Sequence, residues 1–134
     1  MRRIAACLIL TCSAMAVSAA FALAASNGET KYVGKTKQHR NIRLKANGEH
    51  LRLQSFSIEL HCRDGSVLVD QESGFEPTAI RGGKFSDKQF GSTDTVVYKG
   101  KVRGAKVTGT VKVRDRLGKV RCSSPTVKFT ARAR

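Results

Sequence analysis

Tryptophan is absent from this 134-residue chain, proline occurs only twice, and acidic side chains are scarce, 10 against 25 lysines and arginines. The length excludes multi-domain enzymes, repeat arrays and folds built from two βαβ halves. Beyond residue 24 no segment of ten residues repeats its apolar positions at helical spacing, so helical bundles are excluded as well. There is no Gly-x-Ser-x-Gly elbow, no His-Glu-x-x-His pair and no phosphate-binding glycine loop. The three histidines, His39, His50 and His61, and the four cysteines do not fall at zinc-ligand spacing. No cofactor and no metal centre is expected.

What is present begins with an export signal. Met1-Arg2-Arg3 is a short cationic start, and an apolar, alanine-rich stretch runs from Ile4 to Ala24. It ends in Ala22-Leu23-Ala24, the small-x-small pattern that signal peptidase cuts. The expectation is a cleaved signal peptide over residues 1–24 and one β domain over 25–134, secreted or associated with the cell envelope. A retained anchor is the competing reading, since 21 residues are long enough to span a bilayer. Neither Cys7 nor Cys12 follows a complete hydrophobic stretch, so neither is a lipid-attachment site.

Cleavage would leave Cys62 and Cys122 as the only cysteines. In an exported chain the economical outcome is a disulfide between them. It would close a loop of about 60 residues, worth roughly 4 kcal/mol in the chain-entropy description.

The dominant period is two. Ala105, Val107, Gly109, Val111 and Val113 alternate with Lys106, Thr108, Thr110, Lys112 and Arg114; Val127, Phe129, Ala131 and Ala133 alternate with Lys128, Thr130, Arg132 and Arg134. Each is a half-buried strand with a basic outer face. Leu51 and Leu53 have the opposite parity to Phe56, Ile58, Leu60 and Cys62, so a bulge or a change of sheet is expected at Gln54-Ser55. Asn47-Gly48 and Asp64-Gly65 read as hairpin turns, the first with positive φ at both positions. Strands are expected near 30–37, 40–46, 49–62, 67–72, 78–81, 93–103, 105–115 and 119–133, with loops at 71–77 and 82–92. The fold class is all-β, an antiparallel β-sandwich or open barrel of about seven or eight strands. Tyr32-Val33-Gly34-Lys35 recurs as Tyr98-Lys99-Gly100-Lys101, which is read as shared strand chemistry rather than as a duplication.

The ordered set Tyr32-x-Gly34-Lys35-Thr36, Ile42, Cys62-Arg63-Asp64-Gly65-Ser66, Ile80, Gly82-Gly83-Lys84-Phe85-Ser86, Gly100, Gly104, Gly109-Thr110 and Cys122 resembles small exported β-proteins of actinobacteria. That resemblance spans nearly all of residues 25–134. It implies a β fold and export, and it implies no reaction. Ser123-Ser124-Pro125 departs from the pattern and is expected to alter the entry to the last strand.

Charge is lopsided. Residues 25–98 carry 11 basic and nine acidic side chains, whereas residues 99–134 carry 12 basic and one acidic. Lys106, Lys112, Arg114, Lys128, Arg132 and Arg134 share outward parity and form the candidate polyanion-binding face, with an anionic cell-envelope polymer or another polyanion as partner. Neutralising Lys31, Lys35, Lys37 and Arg40 is expected to matter less. Sequence-specific nucleic-acid recognition is not expected, because most aromatics sit at core parity; Phe85 and Phe90 are read as core plugs flanking a loop. Asp64, Asp70, Glu72, Glu76, Asp87 and Asp94 are read as scattered through loops, without a calcium-binding set. The favoured reading is a non-enzymatic module with no catalytic residues. The alternative is a small hydrolase or lyase built on Glu59, His61 and Arg63, which share one strand face.

Overall fold

The computed structural model describes residues 28–134; the expected signal peptide lies outside them. Ten antiparallel strands account for the fold: β1 (Thr30–Thr36), β2 (Asn41–Ala46), β3 (His50–Cys62), β4 (Val67–Ser73), β5 (Thr78–Ala79), β6 (Lys84–Phe90), β7 (Asp94–Arg103), β8 (Lys106–Leu117), β9 (Val120–Ser123) and β10 (Val127–Ala133). Among the described residues there is no helix.

Consecutive hairpins join β1 to β2, β2 to β3, β6 to β7, β7 to β8 and β8 to β9. The β8 strand then receives β10 along Lys106–Val111 and β9 along Arg114–Leu117. Because β10 also pairs with β1, and β9 with the end of β3, the ring β10-β1-β2-β3-β9-β8 closes on itself. The expected sandwich or open barrel is therefore a closed six-stranded barrel with β6–β7 and β4, β5 added outside the ring. Closure follows from register, which alternation within single strands does not specify.

Local chemistry explains the elements. The apolar parity set of the ring strands is buried: Ile42, Leu44, Leu51, Leu53, Phe56, Ile58, Leu60, Val107, Val111 and Val113 form the ring interior. Opposite β2, the register slips between Arg43 and Leu44, so that Phe56 faces Ile42 while Leu53 faces Leu44. Gln54 is the extra residue, and the expected bulge is present. At the β2–β3 turn only Gly48 takes positive φ, at 86°. Asn47 instead uses its side chain, whose Oδ1 accepts the N–H groups of Glu49 and His50. His39 sits at φ 60° in the β1–β2 turn, the one non-glycine with positive φ among the described residues.

Two stretches differ from expectation. Residues 84–90 are strand β6, not loop: Phe85 faces the core, while inward Asp87 and Gln89 are polar and disguise the alternation. Residues 119–133 hold two strands, separated at Ser124-Pro125-Thr126. Ser124 keeps the break attached to β8, its N–H donating to the Val113 carbonyl and its Oγ accepting the Val113 N–H, both at 2.9 Å. The expected loop after β4 contributes Phe75 to the core, with ring centroids 5.7 Å from Phe56 and 6.0 Å from Tyr98.

Candidate functional site

The register converts outward parity into rows of cations. One row crosses β7, β8, β10, β1 and β2 as Arg103, Lys106, Arg132, Val33 and Arg43. The next crosses β6, β7, β8, β10 and β1 as Lys84, Lys101, Thr108, Thr130 and Lys35. A third runs Ser86, Lys99, Thr110 and Lys128. Rows two residues apart along a strand are separated by about 7 Å. That is within the Debye length of roughly 8 Å at physiological salt, so neighbouring charges reinforce each other.

None of these cations forms an ion pair among the described residues; the three ion pairs present join Arg40 and His61 to Glu59 and Lys45 to Glu29. The lattice borders a depression of about 1130 Å³, edged by Lys37, Arg81, Lys84, Lys99, Lys101 and Lys128 and lined in part by Gly100 and Gly109. Its only carboxylate, Asp87, is already engaged. It accepts from the Thr78 hydroxyl at 2.7 Å and from Gln89 Nε2 at 2.8 Å. Burial opposes its ionisation, but the bonds from Gln89, Thr78, the Lys88 backbone and Tyr98 outweigh that and hold the carboxyl below its usual value. Tyr98, buried beside it, is pushed up to about 12.

The six residues expected to bind polyanions do not form one cluster. Lys106 and Arg132 face each other in register. Lys128 lies at the depression. Lys112 stands opposite Val97, and Arg114 opposite Thr95 and Ser123, toward the other end of β8. The chain-terminal Arg134 donates its N–H to the Lys31 carbonyl. Sequence reasoning missed Lys84, Lys99 and Lys101 as partners of this face. The outward parity of Lys99 and Lys101 on β7 was legible, whereas Lys84 lies on β6, which was not; the rows that carry all three to β10 across β8 required the topology. Lys35 and Lys37, expected to stand apart, adjoin the face: Lys35 pairs with Thr130, and the Lys37 N–H donates to the Lys128 carbonyl.

Glu59 and His61 share one face of β3, and Arg63 follows in the turn just after its last residue, Cys62. Glu59 Oε1 lies 3.4 Å from His61 Nε2, and its Oε2 3.8 Å from Arg40. Arg63 continues toward the disulfide. Phe85 is buried as expected, whereas Phe90 is 71% exposed at the end of β6 with Lys88 Nζ 4.9 Å from its ring centroid. Cys62 and Cys122 are bonded, directly in register, with Cα atoms 3.9 Å apart.

Asp70, Glu72, Asp87 and Asp94 lie on strands rather than loops, and no group of three or more potential ligands among the described residues is placed to hold a metal ion. Burial, then the neighbouring carboxylates Asp70, Asp94 and Asp115, raise Glu72 from 4.5 to about 8. A raised folded-state pKa favours the protonated fold. The stabilisation is complete below the unfolded value and is lost as pH rises through about 8. Glu72→Gln is therefore expected to leave thermal stability near pH 4 unchanged and to raise it at pH 9. Because the group is only half-buried, solvent screening reduces the gain to about 1 kcal/mol. Melting curves at the two pH values check this; equal shifts at both would show that Glu72 does not titrate abnormally.

No family model, no curated protein and no solved structure matches this chain.

Proposed function

We propose that this protein is an exported, non-enzymatic binding module that holds anionic polymers, those of the cell envelope in particular, against the outer wall formed by β6, β7, β8, β10 and β1. The observation that carries this reading is the lattice of cations without a carboxylate partner, interleaved with the hydroxyls of Ser86, Thr108, Thr110 and Thr130. Lysines supply point charges without fixed geometry, and hydroxyls supply adaptable donors. Such a wall suits repeating anionic groups of variable spacing. The disulfide supports export, since such bonds persist in oxidising compartments. The resemblance to exported actinobacterial β-proteins points the same way.

The test is binding to a sulfated polysaccharide and to a polyphosphate across a salt series. Affinity is expected to fall steeply with ionic strength as counterions are released. Replacing Lys84, Lys99, Lys101 and Lys128 by glutamine should weaken it on the order of a thousandfold, taking about 1 kcal/mol per lysine against an anionic surface. Replacing Lys45 and Arg52, on β2 and β3, should have little effect. Equal losses from the two sets, or binding that persists at high salt, would remove the wall as the site.

A further inference from the structure

Around the disulfide, the register aligns two adjacent rows on the outer surface. One runs His61, Ser123, Arg114 and Thr95 across β3, β9, β8 and β7. The other runs Arg63, Arg121, Arg116 and Thr93. It is joined by the Arg63 N–H to the Arg121 carbonyl at 3.0 Å, by the Arg116–Arg121 register, and by the Arg116 N–H to the Thr93 carbonyl at 3.2 Å. On β9 and β8 the two members lie two residues apart and share a face; Arg63 and Thr93, one residue beyond β3 and β7, are held in line with them by those backbone bonds. They border a pocket of about 510 Å³.

This face gathers four guanidiniums, and all four are exposed. None is paired with a carboxylate among the described residues. Asp115 also lines the pocket, but it belongs to the other parity of β8, in register with Cys122, and its Oδ1 is taken up by the Arg116 N–H at 2.6 Å. Like charges opposite one another on paired strands are destabilising. Three arginines in succession, Arg63 just beyond β3, Arg121 on β9 and Arg116 on β8, therefore gain nothing for the fold alone, and a bound anion would reverse the sign of their interaction.

We propose that this pocket binds a tetrahedral oxyanion, a phosphate or sulfate ester group, held by the forks of Arg63, Arg114, Arg116 and Arg121 with the Ser123 and Thr95 hydroxyls. The residue type selects the ligand chemistry. Arginine presents a planar fork that matches oxyanion geometry bidentately, and four of them meet here, whereas the depression described above is edged by five lysines and a single arginine, Arg81. The donor number selects further: several forks and two hydroxyls exceed what the two oxygens of a carboxylate accept, and suit a group with three terminal oxygens. The volume admits the ester group together with part of its carrier.

The inference does not rest on the polymer-binding wall, and the test separates them. The full chain is titrated with inorganic phosphate, sulfate and acetate at fixed ionic strength, followed by calorimetry and by the arginine side-chain resonances. Saturable binding of phosphate and sulfate, with acetate much weaker, is expected. Arg63→Gln with Arg121→Gln should weaken it at least tenfold, about the worth of one charge-assisted hydrogen bond. Arg121→Lys, which keeps the charge and loses the fork, should weaken it severalfold and carries the test if the double variant fails to fold. Phosphate affinity that rises as the second proton leaves, near pH 6 to 7, while sulfate stays level, would identify a phosphate site. Level affinity for both with sulfate the tighter would identify a sulfate site. The four-lysine variant should bind these ions as the parent does. No saturable binding, acetate binding as tight as phosphate, or an Arg121→Lys protein indistinguishable from the parent would overturn the proposal.

Discussion

Reduction of the Cys62–Cys122 bond, or its replacement by two serines, is expected to cost about 4 kcal/mol of stability, the loop-closure value for a separation of 60 residues. For a domain of this size that lowers the melting temperature by about 15–30 °C. The location adds to the effect. The β3 and β9 strands meet through only two register pairs, His61 with Ser123 and Cys62 with Cys122, so the bond is half of the seam that closes the ring. Beyond the disulfide the seam is continued by the Arg63 N–H, which donates to the Arg121 carbonyl. Calorimetry with and without reductant, alongside thiol counting by mass spectrometry, checks the expectation. A reduced protein melting with the oxidised one would show that the ring is held by its hydrogen bonds alone.

A side chain at Gly100 or Gly109 is expected to cost about 3 kcal/mol, at the upper end for overpacking. The two glycines are directly opposite on β7 and β8. A Cβ at Gly100 would meet the Thr108 carbonyl oxygen and lie 2.7 Å from Phe85 Cζ; one at Gly109 would meet the Lys99 carbonyl oxygen and lie 2.9 Å from Phe129 Cζ. Each ring thus folds over the glycine of the neighbouring strand, and backbone rather than a flexible side-chain tip stands in the way. Because the sites touch, Gly100→Ala and Gly109→Ala together should lose less than the sum of the two. Urea denaturation midpoints measure both terms; unchanged midpoints would mean that the strands can separate to admit a methyl group.

Much of the wall construction was legible before the structure, because burying one face of a strand forces a period of two. The β8 and β10 alternations and the slip at Gln54-Ser55 are written directly in the order of apolar residues. The β6 strand was not legible, because Asp87 and Gln89 occupy inward positions and are satisfied there by Thr78 and Tyr98 rather than excluded. Ring closure was not legible either. It depends on β10 reaching β1 and β9 reaching β3, contacts between residues about 60 to 100 positions apart. For the same reason the candidate basic face was read from one end of the chain. Lys35 and Lys37 belong beside it only because β1 lies next to β10, and Arg63 meets Arg121 only because the ring shuts.

The extra residue at Gln54 gives β3 two frames in one strand. Before it, odd-numbered residues point inward; after it, even-numbered residues do. The barrel therefore keeps its interior only while that half-period offset is preserved. Insertions or deletions of one residue on either side of Gln54 would exchange Leu51 and Leu53, or Ile58 and Leu60, with their polar neighbours, whereas changes of two residues would leave the phase intact. Descendants of this sequence should therefore vary in the length of β3 in even steps, and the hairpins at its two ends are where odd steps can be absorbed.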